Sequence, residues 1–176
     1  KGMAASLLMS NLHAIFHSLI PLDLELSELM MRANRLLLKS SLDNQFATLV
    51  VGKADADGNI ETVNAGHLPP LLIKGGVKGE LDLAGLPLGM FCEAEFASQK
   101  VKLDGGDSLL LFTDGVTEVV NGDGIEFGTA HLSKAINGHS YASPRELIER
   151  CAGEIAKYRG AADRHDDLTM LAVSFV

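Results

Sequence analysis

Two aspartate-bearing stretches hold the residues best suited to chemistry. In the first, the apolar run 109–112 leads into Thr113, Asp114 and Gly115. In the second, Asp166-Asp167 stands directly ahead of the apolar, β-prone segment 168–176. Short apolar runs bounded by turn residues suit buried strands, so each strand carries carboxylate at one mouth. Two such strands bring Asp114 near Asp166 or Asp167 from distant parts of the chain. Carboxylates that close raise each other's pKa unless a cation neutralises them. All-oxygen donors favour Mg²⁺ or Mn²⁺ over Zn²⁺, which wants His or Cys, and Gly115 lets backbone and ligand approach closely. A pair of such ions holds a phosphoryl group and activates water for in-line attack, so no protein nucleophile is required. The plainer alternative at Asp114-Gly115 is an ordinary turn.

Other chemistries are excluded by what surrounds these residues. With 23 acidic against 15 basic side chains and a formal charge of −8, neither nucleic acid nor an anionic membrane surface is expected as the main partner. Cys92 and Cys151 stand alone, without the spacing of a zinc knuckle or redox pair. There is no GxSxG and no P-loop. A dehalogenase-type phosphatase needs a nucleophilic aspartate two residues before Asp114, and that position is Phe112. His13 and His17 lie four apart but lack the glutamate of HExxH. The Asp55–Asn59 stretch has Gly58 too early for a calcium loop and reads as a hairpin turn. No run of apolar residues approaches the ~18 of a membrane span.

Several elements must position the carboxylates. Leu8, Leu12, Ile15, Phe16 and Leu19 make a helical stripe over 4–19. A second helix is expected over 27–39, with Ser27 as N-cap and Leu29, Met30, Ala33, Leu36 and Leu37 facing the core. Strands follow over 46–53, 60–63, 71–73, 80–83, 98–103 and 109–112, an antiparallel pattern. A short helix is expected over 129–136. A longer one opens at Ser143-Pro144-Arg145-Glu146, a capping box, and ends at Gly160. No internal repeat or linker divides the chain, so a single domain over 1–176 is expected.

Five ordered motifs give a more specific reading. They are Asn64-Ala65-Gly66-His67 with Pro69-Pro70, Leu86-Pro87-Leu88-Gly89, Gly106-Asp107 leading into Phe112-Thr113-Asp114-Gly115-Val116-Thr117-Glu118, Phe127-Gly128, and Asp166-Asp167-Leu168-Thr169. In this order the chain resembles the stage II sporulation protein E type of bacterial PPM-class serine/threonine phosphatases. The resemblance implies an α+β fold, a four-layer αββα sandwich of mostly antiparallel sheets between helix pairs, holding two or more Mn²⁺ or Mg²⁺ ions. Asp114 and Asp166 match the family's metal-binding aspartates, with Gly115 and Asp167 beside them. His67 and Arg164 are candidates for touching phosphate or substrate, His67 having a plainer role in its turn and Arg164 a plainer one in a salt bridge. Family members often act on a phosphorylated anti-sigma-factor antagonist in bacterial signalling, which implies a cytoplasmic setting. The first two helices look like that family's regulatory pair.

Lys1-Gly2-Met3-Ala4-Ala5 looks like the tail of a further metal-binding motif, whose aspartate would lie upstream of Lys1. On that reading the first strands and one bridging ligand are missing, and an exposed sheet edge favours a homodimer. The rival reading is a catalytically silent binding or regulatory module of the same fold.

Overall fold

The helical stripe at the N-terminus becomes α1, Met3–Leu19, with Leu12, Ile15 and Leu19 buried. The computed structural model describes residues 2–41, 45–81, 85–163 and 166–175, with backbone alone at 77 and 78. Within it the chain forms two compact units, Lys1–His67 with Leu83–Val101, and Leu68–Asp82 with Lys102–Val176.

In the first unit, α1 and a 3-10 turn at Ile20–Leu22 precede α2, Leu26–Ser40. Strands β1, Leu49–Ala54, and β2, Asn59–Ala65, pair antiparallel from Leu49↔Ala65 to Ala54↔Ile60. With β5, Ser98–Lys102, they make a three-stranded sheet in the order β1-β2-β5. The two helices pack on each other and α2 lies on β1 and β2. Met30, Ala33 and Leu37 of α2 are fully buried, in one cluster with Val63 and Ala65. The turn between β1 and β2 is built by Asp55, whose side chain accepts the N–H groups of Asp57 and Asn59 at 2.9 Å; the hairpin expectation holds.

The second unit holds the carboxylate-bearing strands. Its sheet runs β4-β3-β6-β7, from β3, Leu71–Lys74, β4, Val77–Glu80, β6, Ser108–Phe112, and β7, Met170–Ser174. Gly75 and Gly76 both have positive φ, 54° and 77°, which closes the tight β3–β4 hairpin. Helices α4, Gly128–Ile136, and α5, Pro144–Arg159, pack together, and α5 packs on β7. Leu110 and Phe112 of β6 share a buried cluster with Leu132 and Ile136 of α4 and Leu147, Cys151 and Ile155 of α5. Each buried leucine there stabilises the unit by roughly 1.5–3 kcal/mol. The Ser143 side chain accepts the Glu146 N–H at 3.3 Å, as the capping box predicts. The Glu146 carboxylate reaches back to the Ala142 N–H at 2.8 Å.

Each unit is a helix pair on one sheet, the α+β class expected. Four details differ. The second helix starts at Leu26 with Glu25 at the cap position and no side-chain cap bond, so Ser27 lies inside the first turn. On its core face Asn34 is buried, whereas Leu36 is 41% exposed. The fourth strand is Val77–Glu80 rather than 80–83, and residues 82–84 lie outside the described ones. Lastly, α1 and its 3-10 turn form a 20-residue helical stretch, Met3–Leu22, of mean hydropathy 1.3, long and apolar enough by composition to cross a membrane. No such span is apparent from the sequence because Ser, Asn and His interrupt the apolar run. Its Leu12, Ile15 and Leu19 stripe joins the core of the first unit.

Candidate active site

The ladder between β6 and β7 sets the site. Antiparallel pairing runs from Ser108↔Ser174 to Phe112↔Met170, and the serine hydroxyls at its far end lie 2.7 Å apart. At the near end pairing continues past both strands. The Thr113 N–H donates to the Thr169 carbonyl at 3.1 Å, and the Thr169 N–H donates to Thr113 Oγ1 at 3.2 Å. The residues beyond those threonines, Asp114-Gly115 on one strand and Asp166-Asp167 ahead of the other, are thereby carried to the same place.

Gly115 shows how closely they meet. A Cβ added to this buried glycine would collide with the Asp167 carbonyl oxygen and stand 3.6 Å from Asp166 Cβ. Only hydrogen fits between the two segments. The Asp114 side chain accepts the Gly115 N–H at 2.9 Å, and Asp166 accepts the Asp167 N–H at 2.8 Å. Asp114, Asp166 and Asp167 are all exposed, so their carboxylates reach solvent instead of being consumed by the core. The Asp-Gly step is not a simple turn: it opens α3, Asp114–Thr117, a single helical turn whose Glu118 N–H returns to the Asp114 carbonyl at 2.9 Å.

A small cleft of about 60 Å³ opens beside this junction, lined by Gly115, Glu118, Arg159, Asp163 and Asp166 among others. Arg159 comes from the last turn of α5 and has no signal in any motif. Only its position ahead of Gly160 and the aspartates hints at its proximity.

The remaining motifs hold loops. The Asn64 carboxamide donates to the His67 carbonyl and accepts the His67 N–H, at 2.9 and 2.8 Å. Gly66, at φ 71°, lies so tightly under Pro87 that a side chain there would clash with the ring. Buried Asp107 accepts the Asp104 N–H at 3.0 Å and sits 3.5 Å from Lys74 Nζ. Phe127 is buried at the start of α4, stacked on His131 with ring centroids 5.4 Å apart. His67 belongs to the first unit, where Asn64 holds its backbone. Arg164 lies outside the described residues. His13 and His17 meet edge to face at 5.8 Å.

The donor set suits a hard cation in kind but not in number. Asp114 and Asp166 offer carboxylate oxygen, yet among the described residues no three His, Cys, Asp or Glu side chains converge as a metal-holding group.

Over 176 residues the chain is 27% identical to the phosphoserine phosphatase RsbU of Bacillus subtilis, covering 98% of this chain and 52% of RsbU. The crystal structure of the RsbU and RsbW domains of Rv1364c from Mycobacterium tuberculosis superposes with a TM-score of 0.73 at 26% identity, over 96% of this chain and 47% of that one. The SiaA-PP2C domain of Pseudomonas aeruginosa superposes with a TM-score of 0.82 at 20% identity, over 97% and 69%; at that identity it establishes the PP2C-like fold. The chain spans about half the length of RsbU. Residues 1–176 match the family described as Stage II sporulation protein E, and the chain belongs to that family.

Proposed function

We propose that the chain serves as a metal-dependent protein phosphatase domain in bacterial signalling, hydrolysing phosphoserine or phosphothreonine. The observation that supports this reading is the close approach of Gly115 to the Asp167 backbone and the Asp166 Cβ, which brings the segments bearing Asp114 and Asp166 together at a solvent-facing strand mouth. Asp114 and Asp166 hold Mn²⁺ or Mg²⁺, with Asp167 next to them. A bound divalent ion supplies Lewis acidity and lowers the pKa of water at neutral pH. The chain's own contribution is to orient the two carboxylates through the Thr113–Thr169 pairing, and to place Glu118 and Arg159 at the adjoining cleft. RsbU is a phosphoserine phosphatase, which supports the substrate class. A phosphorylated anti-sigma-factor antagonist in the cytoplasm is the partner we infer.

The test is calorimetric titration of Mn²⁺ into the chain and into Asp114→Asn, with a phosphoserine-peptide assay on the same samples. Binding and turnover that vanish together in the variant are expected. Undiminished Mn²⁺ binding by Asp114→Asn would remove the site from Asp114. The incomplete ligand group among the described residues favours a second reading, a silent binding module. Mn²⁺ binding without any turnover selects it.

A further inference from the structure

A trough of about 410 Å³ lies between α4 and α5 and shares no lining residue with the cleft beside Asp166. One wall is a face of α4, with His131 and Lys134 three residues apart. The other is a face of α5, with Arg150, Glu154, Lys157 and Tyr158 at i, i+4, i+7 and i+8. At 1.5 Å per residue this wall runs roughly 10 Å from Arg150 to Lys157. The trough is therefore elongated, with cations at both ends of one wall and a third on the opposite wall.

Its charge is opposite to that of the chain. Lys134, Arg150 and Lys157 face a single carboxylate, Glu154, on a protein of formal charge −8. Glu154 is held by Lys157 Nζ at 2.7 Å, and that ammonium keeps further donors for a second acceptor. Lys134 has no ion pair among the described residues. Arg150 meets no carboxylate there either: it donates through Nε to the Ala135 carbonyl at 3.0 Å and through Nη2 to the His139 imidazole at 2.8 Å. Those two bonds fix the guanidinium in place and leave its charge uncompensated.

Between the charges the floor is aromatic. Buried Phe127 stacks on His131 at 5.4 Å, and the Tyr158 ring leans on both, at 5.2 and 4.8 Å. The Tyr158 hydroxyl already donates to the Glu126 carbonyl at 3.1 Å, and His131 Nδ1 lies 2.6 Å from the Phe127 carbonyl. The trio thus offers chiefly ring surface.

Spread cations with apolar surface between them fit several separated carboxylates on one flexible strand better than a single compact anion. In an extended segment, at about 3.3 Å per residue, carboxylates two to four residues apart span the same length as Arg150 to Lys157. We propose that this trough docks an extended acidic segment of a partner protein, with carboxylates on Lys134, Arg150 and Lys157 and an apolar side chain between them on the rings of His131 and Tyr158. Such docking leaves the carboxylate junction open and does not depend on the phosphatase reading. A local field opposite to that of the whole chain also steers the acidic segment to this one face.

The experiment is fluorescence anisotropy of a dye-labelled peptide of three Ser-Glu-Leu-Glu repeats, and of its counterpart with Gln for Glu. Each is titrated with the chain, with Lys134→Glu and with Lys39→Glu, a matched reversal in the last turn of α2. Melting curves accompany each sample. The acidic peptide is expected to bind at low salt and to be released at about 0.5 M salt. Its affinity should fall about fivefold or more in Lys134→Glu and stay within about twofold in Lys39→Glu. No binding of the acidic peptide, equal binding of the glutamine peptide, undiminished binding by a folded Lys134→Glu, or an equal loss in Lys39→Glu each overturns the proposal. So does a dimer in sedimentation that Lys134→Glu dissolves while no peptide binds, which gives the trough to a second copy.

Discussion

The side chain of Asn34, buried in the middle of α2, accepts the Gly89 N–H at 2.8 Å and donates to the Phe91 carbonyl at the same distance. One carboxamide thus fastens the second helix to the Leu86-Pro87-Leu88-Gly89 loop. Asn34→Leu fits the apolar face but leaves the part-buried Gly89 donor and Phe91 acceptor without their partner. A loss of about 2–4 kcal/mol is expected in denaturant unfolding. A loss below about 1 kcal/mol would mean that water replaces the carboxamide.

Gly115→Ala tests the junction sterically, since the residue's φ is not in the left-handed region and the added methyl alone meets the Asp167 carbonyl. Destabilisation of about 1–3 kcal/mol is expected together with weakened Mn²⁺ binding. Gly122→Ala is the control, because a Cβ there meets nothing within 4 Å. It should fall within about 0.5 kcal/mol of the parent. Equal effects in the two variants would refute the close approach.

The opposite sign is expected at Gly153, inside α5, where a Cβ meets nothing within 4 Å and φ is ordinary. Gly153→Ala removes backbone freedom from the unfolded chain and should stabilise by about 0.5–1 kcal/mol. The midpoint of urea unfolding measures it, and any loss of stability contradicts the open surroundings.

The two thiols should separate cleanly. Cys151 is buried, and loss of hydration pushes its pKa from the ordinary 9.0 up to about 11, with Arg150 pulling weakly the other way. Cys92 is exposed. A thiol reagent at neutral pH should label Cys92 at once and Cys151 only on unfolding. Because the folded-state pKa is the higher one, the unfolded chain loses this proton first. Stability should therefore decline between pH 9 and about 11, by roughly 1.4 kcal/mol per unit at most, a slope that Cys151→Ala removes. Rapid double labelling of the native chain would contradict the burial.

The periodic elements were readable from the sequence because burial imposes period directly. Leu12, Ile15 and Leu19, and Leu147, Cys151 and Ile155, announce their helices, and Ser143 with Glu146 announces a start. The carboxylates at the ends of β6 and β7 were readable too, since an aspartate directly beside an apolar run marks the point where a buried strand reaches solvent. What escaped depends on contacts made from far away. Asn34 is buried because loop atoms near Gly89 meet it, and no local pattern says so. Arg159 sits on a helix whose pattern describes only its apolar face. Its place at the cleft follows from the turn after Gly160.

β7 comes last in the sheet order, paired to β6 on one side, and Leu171 on it is 57% exposed. Edge elements with solvent on one side open at lower free energy than the domain as a whole. Peeling this strand away from β6 parts Thr169 from Thr113, and with them the segments that carry Asp166 and Asp114, and it also takes from α5 the strand it packs on. The junction of the two carboxylate-bearing segments thus depends on an edge strand, and hydrogen exchange at the Thr113 and Thr169 amides is expected to be faster than in the centre of the sheet.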